Sequence, residues 1–328
     1  MARVLTVAVE RFPIAGRFVI ARGARTEAVV VTAAVADGQA VGRGECVPYA
    51  RYGETVDGVA AAIESLRGAI AGGLDRLGLQ DAMAPGAARN AVDCALWDLD
   101  AKLTGVPAHV AAGLDRLSPV STAYTISLGE PAAMAAAVET ARGRPILKIK
   151  LGAPDGDLDR IAAVRAAAPE ATLIADANEG WTENTLDRHL EACADAGFAL
   201  VEQPLPAAAD EALRGRPRPV PLCADESVHD RHGLGRLAGL YDAVNVKLDK
   251  AGGLTEALAL ADEAEQKGFA LMIGCMLGTS LAMAPALLLA PRARFVDLDG
   301  PLLLARDRDH GLRYEGGLVH PPSPALWG

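Results

Sequence analysis

Two lysines separated by a single isoleucine, Lys148 and Lys150, lie near the middle of the 328-residue chain. In residues 146–151 apolar residues and lysines alternate with period two, which predicts a β-strand with both lysines on one face, about 7 Å apart. Two neighbouring ammonium groups repel each other, so the pair alone indicates a solvated strand face. However, the run is otherwise apolar and ends at Gly152, as a buried parallel strand does, and a third lysine, Lys247, lies in another strand-like run. We therefore predict that the three lysines face one cavity.

Three apolar runs between these lysines each end in a carboxylate, namely Asp176, Glu202 and Asp225. A lone acidic residue at the end of a strand is more often a helix cap or a turn residue. Three carboxylates that converge without a cation would repel one another strongly, whereas together they offer the oxygen ligands that Mg²⁺ prefers. The sequence therefore predicts a magnesium site that leaves positions for substrate and water.

Lys150 and Lys247 would lie on opposite sides of this metal site. A substrate carboxylate at the metal would place its α-carbon between them, so that one lysine removes the α-proton and the other delivers a proton to the opposite face while the metal stabilises the developing charge. Lys148 is expected to assist by lowering the pKa of Lys150 from about 10.4 toward neutrality. The alternative, that the lysines only neutralise the carboxylates, explains the charge but not the arrangement on both sides.

The elements that would position these residues begin at about residue 120, where eight short apolar runs alternate with mostly amphipathic helical stretches. The runs cover residues 120–128, 146–151, 172–177, 200–203, 222–225, 243–248, 270–274 and 295–298. This alternation predicts a (β/α) barrel, whose active site lies at the C-terminal ends of the strands. A polar residue 22–28 positions after the previous one lies at or near each of these ends: Thr125, Lys150, Asp176, Glu202, Asp225, Lys247, Cys275 and Asp297.

The preceding residues predict a smaller α+β domain. Strands are expected over 4–12, 28–35 and 40–46, a loop with three arginines over 13–25, and helices over 56–72 and 87–103. The second helix has an apolar stripe of Val92, Ala95, Leu96, Leu99 and Leu103. The fold class is thus expected to be α/β, a TIM-type (β/α)8 barrel with an N-terminal α+β capping domain. We expect the cap over 1–115, the barrel with the catalytic residues over 116–300, and a C-terminal segment over 301–328 that packs back on the cap.

Composition excludes several classes of function. With 51% hydrophobic residues and a mean hydropathy of +0.18 the chain should form a large core, yet no stretch approaches the ~18 apolar residues of a membrane helix. A net charge of −10, no basic run and 4% aromatic residues argue against nucleic acid as a partner. No secretory signal is visible at the N-terminus, and the five scattered cysteines indicate free thiols in a reducing compartment. We therefore expect a cytoplasmic protein that binds neither membrane nor nucleic acid.

The motifs together resemble the enolase superfamily, in its muconate-lactonizing-enzyme-like branch, over essentially the whole chain. The resemblance rests on the Lys-x-Lys strand, the three carboxylates and the stretch NVKLDKAGG at 245–253. Three further stretches resemble the dipeptide epimerases of that branch: FVIARG at 18–23, GECVPYARYGE at 44–54 and DLDGP at 297–301. The resemblance implies a modified barrel, a Mg²⁺ cofactor and a dipeptide substrate. It also implies epimerisation of L-Ala-L-Glu and L-Ala-D-Glu in murein peptide recycling, and a homo-oligomer is expected.

The resemblance also assigns roles to individual residues. Lys150 and Lys247 would be the acid/base catalysts with Lys148 assisting, and Asp176, Glu202 and Asp225 would hold Mg²⁺. The implied substrate contacts are Arg22 or Arg25, between which the sequence does not decide, and Thr125, Cys275, Leu277, Asp297 and Asp299. One arginine would bind the glutamate side-chain carboxylate, and the two aspartates suit an α-ammonium group.

Two alternatives remain open at this stage. The same machinery could act on another dipeptide, on an N-acylamino acid, or in a syn-dehydration such as o-succinylbenzoate synthesis. The chain could also be a non-catalytic metal-binding pseudoenzyme, but that reading expects at least one catalytic lysine or ligand to be missing, and all are present.

Overall fold

A computed structural model describes residues 2–328 as a capping domain, an eight-stranded parallel barrel and a C-terminal segment. The elements before the barrel are β1 (Val4–Ile20), β2 (Gly23–Asp37), β3 (Ala40–Cys46), α1 (Val56–Glu64), α2 (Arg67–Ala71), α3 (Arg76–Ala82), α4 (Ala87–Thr104), α5 (Ala108–Ala111) and β4 (Val120–Ser121). The barrel strands are β5 (Tyr124–Ile126), β6 (Ile146–Lys150), β7 (Thr172–Asp176), β8 (Phe198–Glu202), β9 (Leu222–Ala224), β10 (Ala243–Val246), β11 (Ala270–Gly274) and β12 (Phe295–Asp297).

The remaining helices connect the barrel strands. They are α6 (Pro131–Thr140), α7 (Asp157–Ala167), α8 (Glu183–Asp195), α9 (Leu234–Leu237), α10 (Leu248–Ala251), α11 (Leu254–Gln266) and α12 (Ser280–Ala286). Short 3-10 helices cover Ala50–Tyr52, Ala207–Leu213, Arg231–Gly233, Ala290–Arg292 and Gly300–Leu303, and β13 (Tyr314–Glu315) and β14 (Leu318–Val319) lie in the C-terminal segment. No helix within residues 2–328 is long and apolar enough to cross a membrane.

The expected barrel and capping domain are confirmed. Strands β5 to β12 pair in chain order in one parallel sheet. The first and last strands approach each other through the Ala123 N–H, which donates to the Val296 carbonyl at 2.8 Å, and the Leu298 N–H, which donates to Thr122 Oγ1 at 2.9 Å. These bonds leave the ring of eight strands nearly closed.

The capping domain packs helix α4 directly on strand β3. A Cβ atom at Gly42 would lie 2.1 Å from the Ala95 carbonyl oxygen, and one at Gly44 equally close to that of Ala91. The helix therefore depends on two glycines for its close approach to the sheet. The expected apolar stripe of α4 is buried except at Leu103, which lies in the last turn of the helix and is 46% exposed.

Two sequence-based expectations about the cap were wrong. Residues 13–25 are not a loop, since β1 and β2 continue through them as a hairpin with a register shift between Pro13 and Phe18. The hairpin is held at the barrel, where the Val19 N–H donates to Ser127 Oγ at 3.2 Å and its carbonyl accepts from the Leu128 N–H at 3.0 Å. The helix expected over 56–72 is broken into α1 and α2.

The C-terminal segment returns to the cap at helix α4. The Trp327 indole N–H donates to the Cys94 carbonyl at 2.9 Å, and the Gly328 N–H donates to Asp98 Oδ1 at 2.8 Å. The expected boundaries at residues 115 and 300 stay predictions.

Candidate active site

The charged residues of the site continue the inward-facing side of the barrel strands. Because side chains alternate along a strand, Asp176 lies on the same face as Ile174, and Glu202 on the same face as Leu200. Ile174 and Leu200 belong to a buried apolar cluster inside the barrel. The interior therefore changes from apolar to charged toward the C-terminal ends of the strands, where all the sequence-predicted catalytic and metal-ligating residues are brought together.

The ammonium group of Lys148 lies among three carboxylates. Its Nζ is 2.7 Å from Asp297 Oδ2, 2.7 Å from Glu202 Oε2 and 3.1 Å from Asp176 Oδ2. Lys150 Nζ lies 2.6 Å from the same Asp176 oxygen. Burial opposes the charged form of Lys148, but the three carboxylates prevail and raise its pKa well above the usual value.

Asp225 is held by two lysines, one of which the sequence reading missed. Lys247 Nζ lies 2.6 Å from Asp225 Oδ2, and Lys250 Nζ lies 2.6 Å from Oδ1. Lys250 also donates to the backbone carbonyls of Asp225 and Asn245, so a single buried ammonium group joins two strands. Lys250 belongs to the stretch at 245–253 that carries the resemblance, but its position three residues after Lys247 is equally typical of a solvated helix face.

Glu202 has a second partner that was missed, Asn245. The Asn245 amide donates to Glu202 Oε1 at 2.7 Å, and a Cβ atom at Gly274 would lie 2.5 Å from the Asn245 side-chain oxygen. The other carboxylate oxygen of Glu202, Oε2, is buried and has no hydrogen-bond partner, since Lys148 approaches it only as an ion pair. Burial raises the pKa of Glu202 to about 7, and the charge of Asp176 adds to this effect.

The three predicted metal ligands fit a hard divalent cation in chemistry and burial. Asp176, Glu202 and Asp225 are each at most 2% exposed and come from three adjacent strands, with Asp176 and Glu202 directly paired in register. Among residues 2–328 no three acidic, histidine or cysteine side chains are grouped closely enough to hold a metal ion, and Asp176 and Asp225 contact lysine ammonium groups. Glu202 Oε2 contacts Lys148 as an ion pair but accepts no hydrogen bond, so this oxygen can take a further partner.

A cavity of about 430 Å³ lies between the cap and this charged end of the barrel. Lys150 and Lys247 both line it, as do Cys275 and Leu277, which the sequence analysis assigned to the substrate site. The cap contributes Phe18, Arg22, Arg25, Tyr49, Arg51 and Tyr52. Burial raises the pKa of the Cys275 thiol well above its usual value, so this side chain is a neutral part of the wall.

A niche of about 40 Å³ at the same mouth is lined by Asp297, Asp299 and Thr125. It shares Lys150, Lys247, Cys275 and Leu277 with the larger cavity. Asp299 Oδ2 accepts the Thr125 N–H at 2.6 Å, and burial together with the charge of Asp297 raises the pKa of Asp299 to about 7. Asp297 Oδ1 is buried and without a hydrogen-bond partner, so the niche contains one unsatisfied carboxylate oxygen.

The two candidate arginines of the cap have different surroundings. Arg22 donates to Glu226 Oε1 at 2.6 Å, to the Asn178 carbonyl at 2.7 Å and to the Tyr49 hydroxyl at 3.0 Å. Arg25 is exposed, lies 5.5 Å from the centre of the Tyr49 ring, and forms no ion pair with any carboxylate of residues 2–328. The guanidinium of Arg25 is therefore the one available to a ligand, whereas Arg22 is already bound by the protein.

A cap over a (β/α)8 barrel, with buried lysines and carboxylates at the barrel mouth, is the architecture of a class of enzymes to which the comparisons assign this chain. The family model for the mandelate racemase / muconate lactonizing enzyme N-terminal domain matches residues 2–111, and the enolase C-terminal domain-like model matches residues 131–325. The chain belongs to the mandelate racemase / muconate lactonizing enzyme family of the enolase superfamily, which confirms the resemblance found in its motifs.

Two curated relatives are similar to this chain over most of its length. The chain is 47% identical to an L-Ala-D/L-Glu epimerase from Escherichia coli (strain K12) over 97% of this chain and 99% of the relative. It is 44% identical to an N-acetyl-D-glutamate racemase from a Pseudoalteromonas species over 91% of this chain and 95% of the relative. Both relatives are isomerases, and the expectation that this chain is an isomerase is confirmed.

Two solved structures are similar over nearly the full length. An enolase family member from Agrobacterium tumefaciens, with homology to dipeptide epimerases and bound sodium and L-Ala-L-Glu, shares 56% identity at a TM-score of 0.98, covering 99% of this chain and 100% of its own. A dipeptide epimerase from Enterococcus faecalis, in complex with Mg and L-Leu-L-Tyr, shares 30% identity at a TM-score of 0.90, covering 98% of each chain.

Proposed function

We propose that this chain is a dipeptide epimerase that interconverts L-Ala-L-Glu and L-Ala-D-Glu by moving a proton at the glutamate α-carbon. The observation that carries the proposal is the position of Lys150 and Lys247. They follow the second and sixth of eight barrel strands, the largest separation that a ring of eight permits, and both line the same cavity. A carbon atom bound between them has an ammonium or amine group on each face.

In this proposal, the two lysines exchange roles with the direction of the reaction. One lysine, as the free amine, takes the α-proton as the C–H bond breaks, and the ammonium group of the other gives a proton to the opposite face of the resulting carbanion. The proton count of the protein is unchanged, and the configuration of the carbon is inverted. Lys148, which contacts Asp176 beside Lys150, would keep positive charge near the reacting carbon.

Asp176, Glu202 and Asp225 would hold a divalent cation, which we propose to be Mg²⁺. When bound, the cation would draw charge from the substrate carboxylate and compete with the lysines for these carboxylates. Asn245 and Lys250 would keep Glu202 and Asp225 oriented for this role, since each already donates to one of their oxygens.

The ends of the substrate are matched to two features of the cavity. Arg25 would bind the side-chain carboxylate of the glutamate residue, because its guanidinium lines the cavity and has no carboxylate partner within residues 2–328. The niche with Asp297 and Asp299 would hold the α-ammonium group of the alanine, because a desolvated ammonium group requires an anion beside it. The unpartnered Asp297 Oδ1 supports this placement.

A second candidate function is racemisation of an N-acylated glutamate. Two observations favour it: the 44% identity to an N-acetyl-D-glutamate racemase, and the state of the niche, where Asp297 already pairs with Lys148 and the pKa of Asp299 is raised to about 7. Such a niche has less negative charge to offer than two free carboxylates would. The choice between an ammonium and an acyl group therefore depends on Asp297.

The physiological setting remains part of the proposal. Turnover of L-Ala-D-Glu would serve murein peptide recycling in the cytoplasm, carried out by a homo-oligomer with a small dipeptide substrate and no nucleic-acid or membrane partner.

A substrate screen in deuterated buffer tests the proposed function. Each L,L-dipeptide and each N-acylated amino acid is incubated with the Mg²⁺-loaded protein, and uptake of one deuterium at the α-carbon is followed by mass spectrometry. We expect the fastest exchange with L-Ala-L-Glu. Faster exchange with N-acetyl-glutamate would favour the second candidate, and absence of exchange in every substrate of both classes would refute both.

A further inference from the structure

The last strand of the cap, β3, carries a buried carboxylate one residue before its end, Glu45, which contacts residues outside the cap. Glu45 is 1% exposed, and its Oε1 accepts the Thr279 N–H at 2.7 Å. Its Oε2 accepts the Thr279 hydroxyl and the Arg308 Nε–H, the latter at 2.8 Å. Both carboxylate oxygens are thus used to hold residues that lie more than two hundred positions away in the chain.

Thr279 terminates the segment that forms one wall of the proposed substrate site. Residues 275–279 follow barrel strand β11, and Cys275 and Leu277 line both the cavity and the niche. Thr279 is also the N-cap of helix α12, where its hydroxyl accepts the Leu281 N–H at 3.3 Å. Glu45 therefore holds the end of this wall at the point where the next helix begins.

The wall is packed tightly between the cap and the end of β12. A Cβ atom at Gly278 would lie 3.0 Å from Glu45 Oε1 and 3.2 Å from Val47 Cγ2. On the other side, a Cβ atom at Gly300 would lie 2.8 Å from the Gly278 carbonyl oxygen. Tight contact on both faces means that a shift at Glu45 would be passed directly to the wall.

The same end of β3 also contacts the segment that follows the catalytic strand β10. The Val47 N–H donates to Asp249 Oδ1 at 3.0 Å, two residues after Lys247. Residues 45–47 thus join the wall at 275–279 to the segment that carries one of the two proposed bases. One short piece of the cap therefore contacts both segments, which follow the paired strands β10 and β11.

We propose that Glu45 is a positioning residue that holds the 275–279 wall against the niche and thereby sets the size of the first substrate residue. The inference rests on the proposed function for its substrate, because the first residue of a dipeptide carries the ammonium group assigned to the niche. A niche of about 40 Å³ bounded by Cys275 and Leu277 leaves little room beside that group. Alanine, whose side chain is one methyl group, fits this limit.

The test compares Glu45→Gln with Glu10→Gln as a matched control. Glu10 binds the same Arg308, at 2.7 and 3.1 Å, but makes no contact with Thr279. For Glu45→Gln we expect kcat/KM on L-Ala-L-Glu to fall about 10- to 100-fold, mainly through KM, because displaced contacts lose orientation. Activity on L-Leu-L-Glu should fall less, so that the ratio of the two kcat/KM values changes at least about tenfold.

A role in stability alone would lower both activities together and leave their ratio unchanged, which would overturn the inference. Glu10→Gln should not change the ratio. Should Glu45→Gln fail to fold, Thr279→Val removes the hydroxyl contact from the other side and leaves the Glu45–Arg308 pair; the same change of ratio is then expected.

Amide hydrogen exchange gives a readout that does not require turnover. Because the Thr279 N–H is bound by Glu45, a peptide covering this residue should exchange faster in Glu45→Ala, which removes both acceptor oxygens, and as in the wild type in Glu10→Ala. Unchanged exchange would show that Glu45 does not hold residues 275–279 in place. If the wild-type protein turned over neither dipeptide, the proposed function and the size limit would both fail, whereas the exchange experiment would still decide whether Glu45 holds the wall.

Discussion

Replacement of Asp297 by asparagine tests whether the niche binds the substrate ammonium group or has only a structural role. Asp297 is 4% exposed, with Oδ2 2.7 Å from Lys148 Nζ and Oδ1 buried without a partner. An α-ammonium group at Oδ1 would form a buried ion pair, and truncation of one partner of such a pair costs about 2–5 kcal/mol. That corresponds to a loss of roughly 30-fold to several thousand-fold in kcat/KM on L-Ala-L-Glu.

The same substitution also weakens the ion pair with Lys148, and this part of the loss is common to all substrates. Lys148 keeps Glu202 at 2.7 Å and Asp176 at 3.1 Å, so we expect the common part to be on the order of tenfold. N-acetyl-L-Glu has no ammonium group and should show only this part. The difference between the two substrates therefore measures the ammonium contact alone.

The assay is α-deuterium uptake from D₂O at limiting substrate, measured for Asp297→Asn and for Asp299→Asn as a matched control. Asp299 is expected to contribute less, because its raised pKa of about 7 leaves it partly neutral at pH 7 and asparagine can still accept the Thr125 N–H. Equal losses on L-Ala-L-Glu and N-acetyl-L-Glu in Asp297→Asn would refute the ammonium assignment.

Three further predictions concern the metal, pH and packing. Chelation should abolish turnover and Mg²⁺ restore it, and Glu202→Gln should weaken Mg²⁺ binding in calorimetry at least about tenfold without unfolding the protein; full activity of metal-free protein would contradict this. Burial raises the pKa of Asp93 to about 6 despite the Thr255 N–H at 3.0 Å, so its contribution to stability is present below pH 3.8 and is lost as the pH rises through 6. The unfolding free energy of the wild type should therefore fall by up to about 3 kcal/mol between pH 4 and 6, and Asp93→Asn should remove this fall in denaturant titrations. An unchanged pH dependence in the variant would refute the assignment. Gly42→Ala should destabilise the protein by at least about 1–3 kcal/mol because its Cβ meets helix α4, whereas Gly68→Ala, which meets no atom within 4 Å, should not; equal melting temperatures would contradict this.

The barrel was predictable because its signals are local. Short apolar runs between helical stretches identified the strands, and the polar residue at or near each strand end identified the mouth of the barrel. Asp176, Glu202 and Lys150 are the last residues of their strands, and Asp225 and Lys247 follow theirs by one position. Parallel strands place such residues at one edge, so no knowledge of distant contacts was needed.

The hairpin of the cap was not predictable by the same means. Residues 13–25 contain a proline and three arginines and have the composition of a loop. They pair with each other as strands, and the hairpin is held at the barrel by bonds of Val19 with Ser127 and Leu128, more than one hundred residues later. The sequence also left Arg22 and Arg25 as alternatives, since only the fold shows that Glu226 and the Asn178 carbonyl bind the first.

Lys148 illustrates the limit for the site itself. Its face and its neighbour Lys150 were evident from alternation, but its contact with Asp297, 149 positions away, was not. The surrounding carboxylates compensate the charge of Lys148. The expected effect of Lys148 on Lys150 stays a prediction, because it depends on how many of these carboxylates a bound cation would take away from Lys148. Lys250 and Asn245 lie in the stretch at 245–253 that carries the resemblance, but they were not assigned to the site because the sequence does not show their contacts with Asp225 and Glu202.

The central claim, two lysines acting on opposite faces of one carbon, is tested most directly by single-lysine variants in D₂O. L-Ala-L-Glu and L-Ala-D-Glu are each incubated with Lys150→Ala and with Lys247→Ala, and α-deuterium uptake and epimer composition are read by NMR. We predict that both variants lose epimerisation, and that any residual exchange is confined to one epimer in Lys150→Ala and to the other in Lys247→Ala. Substantial epimerisation by either variant, or residual exchange of the same epimer in both, would contradict the two-base account.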